Sequence, residues 1–180
     1  EVDLKILALP GIRVPMITNA AIETCEQRFD AFCVLDVEQV ASGSGLLVSS
    51  SEDISPSLTA ERFKSRALDS SFAAAYFPDV SMMYTQPTPT GTIEKEVFAP
   101  PSVHVAKTIA EIDKEGTVFG PSGITRGILT DAVQTKVKFE ATQRSTLKKL
   151  YDAAINPIVE STGGPYIYSQ RTLENRDSLF

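Results

Sequence analysis

The sequence predicts an α/β fold in which a mostly parallel sheet is flanked by helices. Phe29–Val37 is apolar on both faces, which is typical of an interior strand that helices cover on either side. Short apolar runs also alternate with amphipathic segments of about ten residues, an order that favours parallel strands joined by helices. The chain has 180 residues, of which 42% are hydrophobic and 22% charged, as in an ordinary globular protein. We therefore expect a single domain over residues 1–180.

The first part of the chain contributes two predicted strands and one predicted helix. Leu4–Leu9 is a short apolar run that Pro10-Gly11 ends, so it predicts a buried strand. Asn19 is a suitable N-cap for a helix whose apolar residues recur at spacings of three and four. These residues are Ala21, Ile22, Cys25 and Phe29. The second strand, Phe29–Val37, follows directly.

The middle of the chain alternates loops with a helix and a further strand. Ser42–Ser57 is rich in serine and predicts a long loop, with Ser57 as the N-cap of a helix from Leu58 to Leu68. Phe72–Phe77 predicts another buried strand because it is apolar throughout and a Pro-Asp pair follows it. The two prolines within Gln86–Thr92 lack backbone donors, so this segment is predicted to be a loop or the tip of a hairpin.

Two helices and several short strands complete the prediction. Pro101 opens a helix that ends near Glu115, with Gly116 as its stop, and Gln143–Ala154 predicts the last helix. The apolar stripe of that last helix consists of Leu147, Leu150, Tyr151 and Ala154. Gly120–Gly123 predicts a turn. The remaining strand candidates are Gly127–Val133, Lys136–Phe139, Ile158-Val159 (begun after Pro157 breaks the helix) and Tyr166–Ser169.

The charge balance argues against two classes of partner. The net charge is −6, whereas a protein that wraps nucleic acid needs a dense face of Lys and Arg. No apolar run approaches the ~20 residues of a membrane helix. We therefore expect neither nucleic-acid binding nor membrane insertion. Cys25 and Cys33 both lie in apolar patterns and are predicted to be buried free thiols.

Candidates for catalysis are few. His104 is the only histidine, and Ser102 lies two residues before it, so the two side chains project from different sides of the predicted helix. No serine lies in a G-x-S-x-G segment, and no phosphate-binding glycine motif occurs. The small acidic groups lack the frame of a calcium-binding loop. They are Glu52-Asp53, Glu94/Glu96 and Asp113/Glu115. We expect no catalytic residue, cofactor or metal, and a hydrolase that uses His104 is the alternative.

The last predicted helix carries the one candidate contact surface. Arg144, Lys148 and Lys149 lie on or beside it. One interpretation is a solvated face. The other is a positive patch that meets an acidic patch on an identical neighbour, a device that sets register and orientation in a polymer. We assign these three residues as a possible subunit interface.

Several segments in a fixed order carry a resemblance to a known family. Four of them are Phe72–Pro78, Pro100-Pro101-Ser102, Ile155–Ile158 and Arg171-Thr172-Leu173. Val2–Gly11, Glu26–Val37 and Gly120–Gly123 extend the likeness over most of the chain. Together, these signature segments resemble the core of the contractile-tail sheath proteins of tailed bacteriophages (myovirus type). The residues after Ala41 and around Gln86–Thr92 match no part of that family's pattern.

The resemblance implies an α/β core that is sometimes described as subtilisin-like, without protease activity. It implies a structural subunit, not an enzyme, that forms stacked hexameric rings around a tail tube, in a virion tail that also holds a baseplate. Contraction of such a sheath drives the tube through the host envelope for genome ejection. Assembly would take place in the host cytoplasm.

The same family carries extended arms that link neighbouring subunits. We expect one or both arms to lie outside this chain, and we expect the chain to be monomeric in isolation. The alternative within the same resemblance is a sheath subunit of a bacterial contractile injection system.

Overall fold

The structure is a computed structural model that describes residues 4–48, 53–89, 91–116, 120–139 and 144–175. The elements are, in chain order, β1 (Ile6–Ala8), α1 (Pro15–Arg28), β2 (Phe32–Asp36), α2 (Pro56–Lys64), β3 (Ala73–Phe77), β4 (Val80–Thr88), β5 (Gly91–Ala99), α3 (Pro101–Lys114), α4 (Gly123–Arg126), β6 (Ala132–Thr135), α5 (Arg144–Asp152), β7 (Ile155–Ser161) and β8 (Gly164–Ile167). The fold is mixed α/β, as the sequence predicts.

The larger sheet has five strands in the order β1-β2-β3-β7-β8. The first four strands run parallel to one another, and β8 pairs antiparallel with β7. The predicted sheet flanked by helices is therefore found. The sequence did not predict a second, antiparallel sheet, which has three strands in the order β5-β4-β6.

Each face of the larger sheet has its own hydrophobic core. On one face, helices α1, α2 and α5 cover side chains such as Cys33, Leu35 and Phe77. On the other face, Val105 of α3 packs against Val34 and other strand residues. The alternation of side chains along β2 explains this division, because consecutive residues of a strand point to opposite faces. The strongest strand prediction is thereby confirmed over Phe32–Asp36.

Helix α1 begins earlier than predicted, and it ends just before Phe29, which the sequence pattern places among its apolar residues. Pro15 occupies the first turn after Val14, so Asn19 lies inside the helix and is not its N-cap. Proline suits this first position because its missing N–H would have no partner there. Phe29 ends the helix with a φ of 61° and is 75% exposed. Phe29 therefore belongs neither to the helix core nor to β2.

Helix α2 is shifted by two residues and is shorter than predicted. Its N-cap is Ser55, whose hydroxyl accepts a hydrogen bond from the N–H of Leu58, and the cap is not Ser57. The helix ends at Lys64 and does not reach Leu68. Ala67 then adopts a φ of 48°. Within the predicted loop before α2, residues 49–52 lie outside the described residues.

The segment Gln86–Thr92 contains the tip of a hairpin, the second of the two predicted alternatives, but most of its residues lie in strands and not in a loop. β4 and β5 form a long hairpin whose tip lies at Pro89–Gly91 (Thr90 lies outside the described residues). Pro87 fits within β4 because β6 pairs with β4 only at Val80 and Met82. Beyond that point β4 has one free edge, where a residue without an N–H costs no ladder hydrogen bond.

The second half of the chain confirms one helix closely and corrects several boundaries. α3 covers the predicted helix, and Gly116 follows it with a φ of 70°. The strand in this region is β6, which overlaps the predicted strand Gly127–Val133 only at Ala132 and Val133, and the predicted strand Lys136–Phe139 is not found. The turn at Gly120–Gly123 runs into the short helix α4.

The last helix and strands are also shifted. α5 begins at Arg144 (Gln143 lies outside the described residues) and ends at Asp152. Leu150 is its buried residue, whereas Tyr151 is 48% exposed and does not belong to the apolar stripe. Pro157 does not break the helix but lies inside β7, where its carbonyl accepts the N–H of Tyr168. β8 ends at Ile167, so the predicted strand Tyr166–Ser169 starts too late and extends too far.

Candidate functional site

The predicted interface residues lie together on one exposed helix surface. Arg144, Lys148 and Lys149 of α5 are all exposed. Arg144 and Lys148 are four residues apart and therefore lie on the same side of the helix. Within the part of the chain that the structure describes, none of the three forms a salt bridge. We call these residues the basic α5 face.

Helix α5 is held in place by one of the signature segments. Nη1 of Arg171 donates a 2.8 Å hydrogen bond to the carbonyl of Tyr151 near the end of α5. The guanidinium of Arg171 also lies over the ring of Tyr151, 5.1 Å from its centroid. Leu150 is fully buried beneath the helix. These contacts fix the direction in which the basic α5 face points.

The β4–β5 hairpin carries a surface of opposite charge. Glu94 pairs with Thr85 and Glu96 with Met83, so both carboxylates lie on the same face of the hairpin. Both residues are exposed. Glu96 accepts a 2.6 Å hydrogen bond from the amide of Gln134, and bonds from Ser81 and then Gln134 lower the pKa of its carboxyl. We call Glu94 and Glu96 the acidic hairpin face.

A buried carboxylate joins three signature segments at the carboxyl end of β2. Asp36 is 2% exposed. Its Oδ1 accepts the N–H of Ser102 at 2.8 Å, and its Oδ2 accepts the Ser102 hydroxyl at 2.8 Å and the N–H of Gly11 at 2.9 Å. Helix α3 has no side-chain cap of its own after Pro100, so Asp36 caps its first turn from 66 residues away. A carboxylate is favoured there because the N–H groups of a first helical turn carry partial positive charge.

A buried amide joins three further signature segments. Nδ2 of Asn156 donates to the carbonyls of Ala75 and Arg171, at 3.2 and 2.7 Å. Its Oδ1 accepts the N–H of Arg171 at 2.7 Å and the hydroxyl of Ser169 at 3.1 Å. Asn156 is fully buried. It thereby connects β3, β7 and the segment after β8 through all of its donor and acceptor positions.

The loop after β1 also reaches the end of β3. Arg13 donates a hydrogen bond to Oδ1 of Asp79, which follows the cis peptide Phe77-Pro78. Burial raises the pKa of Asp79 above its usual value, and the positive charges of Arg13 and Lys136 only partly offset that effect. Arg13, Asp36 and Asp79 therefore lie at the edge at which parallel strands end, the place where open α/β sheets usually bind ligands.

The structure pairs the buried His104 with the partly exposed Asp131 and not with Ser102. His104 is fully buried, and its Nδ1 lies 3.1 Å from Oδ1 of Asp131. Burial acts to raise the pKa of Asp131, but the hydrogen bond and charge of His104, together with Lys107, outweigh burial and lower it. His104 Nε2 is buried and has no hydrogen-bond partner among the described residues. The hydroxyl of Ser102 is bonded to Asp36 and not to His104.

The two cysteines are buried and free, as predicted. Burial raises the pKa of both thiols, that of Cys33 to about 12, so neither is a ready nucleophile at neutral pH. In the described ranges, no group of three or more His, Cys, Asp or Glu side chains is arranged to hold a metal ion. None of the helices described combines the length and the apolar character needed to cross a membrane.

Sequence reasoning missed the two residues that organise the signature segments. Asp36 and Asn156 were seen only as parts of their segments. For Asp36 the available signal was a charged residue at the end of a strand that is otherwise apolar on both faces. For Asn156 it was an amide between isoleucine and proline at the start of a buried run. A polar residue buried in this way needs partners, which the sequence does not identify.

The sequence matches no protein-family model and no curated protein.

Proposed function

We propose that this chain is a structural subunit of a contractile phage tail sheath, which polymerises around a tail tube and contracts to drive the tube through the host envelope. The main support for the proposal is that buried hydrogen bonds connect the signature segments to one another. Asp36 joins Gly11 and Ser102, and Asn156 joins Ala75 and Arg171. The segments that resemble sheath cores are thus linked to one another by two buried polar side chains, and we infer that the linked core is rigid.

A rigid scaffold is what a force-generating polymer needs from each subunit. Packed cores do not deform continuously, so such a subunit moves as a body and exchanges one set of neighbours for another. The energy of contraction then lies in the difference between two sets of contacts between subunits. No cofactor is required in this scheme, and a small gain per contact is repeated along the whole array.

The surfaces of the described chain offer a pair of complementary patches for such a contact. The basic α5 face and the acidic hairpin face are both exposed, and they lie on different elements. We propose that the basic α5 face of one subunit meets the acidic hairpin face of the next. A contact between two different patches is head-to-tail, and it produces a helical array when its rotation does not close.

A hydrolase is the weaker alternative because His104 is not hydrogen-bonded to a serine among the described residues. His104 has a carboxylate partner in Asp131, but the nearest serine in sequence, Ser102, is committed to Asp36. A sheath subunit of a bacterial contractile injection system fits the same observations as the phage protein. The genes that neighbour this one would separate those two possibilities.

The first test is electron microscopy of the complete natural protein expressed alone. We expect tubes or stacked rings, because the subunit contacts are intrinsic to the chain. Only monomers at every protein and salt concentration would contradict the proposal. High salt should weaken assembly, since the distance over which exposed charges interact falls from about 10 Å at 0.1 M salt to about 3 Å at 1 M.

The second test reverses charges on both patches. Lys148→Glu with Lys149→Glu should raise the critical concentration for assembly about tenfold, equivalent to about 1.4 kcal/mol per contact. Glu94→Lys with Glu96→Lys should do the same, and combining all four changes should restore assembly. The unfolding free energy of Lys148→Glu with Lys149→Glu should stay within about 0.5 kcal/mol of that of the natural protein, because both residues are exposed. Glu96→Lys also removes the acceptor of the Gln134 amide and should cost about 1 kcal/mol.

The matched control reverses two exposed charges elsewhere. Lys64→Glu with Lys114→Glu makes the same change in net charge but touches neither patch. Assembly of this control should stay near that of the natural protein. If the control weakens assembly equally, or if the four changes together fail to restore it, the specific pairing of these two faces is wrong.

A further inference from the structure

A cavity of about 510 Å³ lies on the α3 side of the five-stranded sheet. Strands β1, β2 and β3 form its floor, helix α3 forms one wall, and the segment after β8 forms the other wall. Its apolar lining residues include Ile6, Phe32, Ala74, Ile109 and Ala110. Cavities of this size with a mostly apolar lining are typical of sites for small molecules.

One polar group inside this cavity lacks a partner. Tyr76 lines the cavity and is only 2% exposed. Its hydroxyl makes no hydrogen bond with any residue that the structure describes, and it is not among the fully enclosed polar atoms without a partner, so it is open to the cavity. Burial raises the pKa of Tyr76, so the hydroxyl keeps its proton at neutral pH and remains a donor. An acceptor from a ligand would satisfy it.

Three charged residues line the cavity, and two of them are paired. Lys5 and Asp113 both line it, and their charged atoms are 3.6 Å apart. Arg171 also lines it, but its guanidinium is bonded to the carbonyl of Tyr151 and lies over the Tyr151 ring. The lining therefore keeps one net positive charge, that of Arg171, whose guanidinium is held by Tyr151, a residue outside the cavity. The apolar floor, away from this charge, suits an uncharged ring.

We propose that this cavity binds a neutral aromatic molecule with one carbonyl oxygen, which accepts a hydrogen bond from the hydroxyl of Tyr76. The apolar floor takes the ring, and Tyr76 sets the orientation of the carbonyl. The proposal goes beyond the assembly function and does not depend on it, because all of the lining residues belong to one subunit.

The test uses two probes of nearly the same shape, 2-acetylnaphthalene and 2-ethylnaphthalene, in ligand-detected NMR titrations of the full chain. Only the first carries a carbonyl. Tyr76→Phe removes only the unpaired hydroxyl, so the protein should fold normally. The variant should bind the ketone about fivefold more weakly, the effect of one neutral hydrogen bond, and should bind the hydrocarbon with unchanged affinity. An equal effect on both probes, or no effect on either, would overturn the role of Tyr76.

A second pair of variants tests the location. Ala110 is an exposed residue of α3 at the cavity, so Ala110→Trp should block it and weaken binding of both probes at least tenfold. Glu111, the next residue, is exposed but does not line the cavity, and Glu111→Trp should leave binding unchanged. Failure of the natural protein to bind either probe, or equal binding by the two tryptophan variants, would refute the site.

Discussion

The five-stranded sheet and the β4–β5 hairpin both contain large hydrophobic residues, but these residues are mostly buried in the sheet and mostly exposed in the hairpin. β3 is buried along its whole length, and β2 and β7 are buried over most of theirs. β4 is buried only at its first residues, and β5 is largely exposed from Gly91 to Ala99. Tyr84, Ile93 and Phe98 of the hairpin are each more than half exposed. Hydrophobic side chains therefore have different roles in the two regions.

The difference arises from what covers each region. Helices lie on both faces of the larger sheet, and each buried side chain there gains the full benefit of leaving water. Most residues of the hairpin have no helix packed against them, so their side chains stay in contact with water and contribute little to stability through burial. We infer that the larger sheet supplies the stability of the domain. Because the hairpin contributes less to stability, its charged and apolar side chains are available to contact a neighbouring molecule.

The largest expected effect comes from removing one hydrophobic side chain from each region. Leu35 is 1% exposed, and Leu35→Ala should lower the free energy of unfolding by about 3 kcal/mol, through lost burial and the cavity left behind. Ile93 is 58% exposed, and Ile93→Ala should change it by less than about 0.5 kcal/mol. Urea unfolding measures both. Similar losses in the two variants would contradict the division between the regions.

A somewhat smaller effect is expected at the buried amide. Asn156→Ala leaves the partners of four hydrogen bonds unsatisfied and should cost about 2 kcal/mol. Hydrogen exchange gives the sharper test, because the N–H of Arg171 loses its acceptor and should exchange faster than the N–H of Leu173, which still donates to Ala73. The exposed residue Asn175 provides the control, and Asn175→Ala should change neither amide. Equal acceleration at both amides in Asn156→Ala would mean that the whole segment has detached.

Local pattern predicted β2 and β3 of the larger sheet well because these strands are continuous apolar runs. Cys33 and Leu35 on one face and Val34 on the other were enough to place β2 in the interior. The sequence predicted a hairpin tip only as one alternative and did not predict the long strands β4 and β5, for a physical reason. Prolines such as Pro87 argue against a central strand, yet β4 is a two-sided strand only near Val80 and Met82. Which strand edges are free is a tertiary property that local sequence does not contain.

The candidate site was predicted unevenly for the same reason. The basic α5 face could be recognised because Arg144, Lys148 and Lys149 are close in sequence, so helical spacing alone puts them together. The partners of Asp36 could not, because Ser102 is 66 residues away and is brought near only by the topology of the sheet. Asn156 illustrates the same limit over 15 residues, since β8 lies between it and Arg171. Residues that are close in sequence can be placed on one surface from helical spacing alone. The hydrogen-bond partners of buried polar residues, by contrast, depend on the complete fold.

The smallest expected effect concerns pH and the end of β3, where the hairpin leaves the larger sheet. Burial raises the pKa of Asp79 above its usual value of 3.8. The folded state then binds this proton more tightly than the unfolded state does. The stabilising contribution is fully present below pH 3.8 and is lost as the pH rises through the raised pKa. Asp79→Asn removes this titration.

The measurement is the difference in unfolding free energy between Asp79→Asn and the natural protein, followed from pH 3 to about pH 6. The natural protein should lose stability relative to the variant as the pH rises, whatever the constant cost of changing the bond with Arg13. Asp53 is exposed, and Asp53→Asn is the matched control for the loss of one carboxylate. A slope of the opposite sign for Asp79→Asn would mean that the charge of Arg13 outweighs burial. Asp79 would then be a salt bridge that favours folding at neutral pH, and the junction between the two regions would be stabilised by charge.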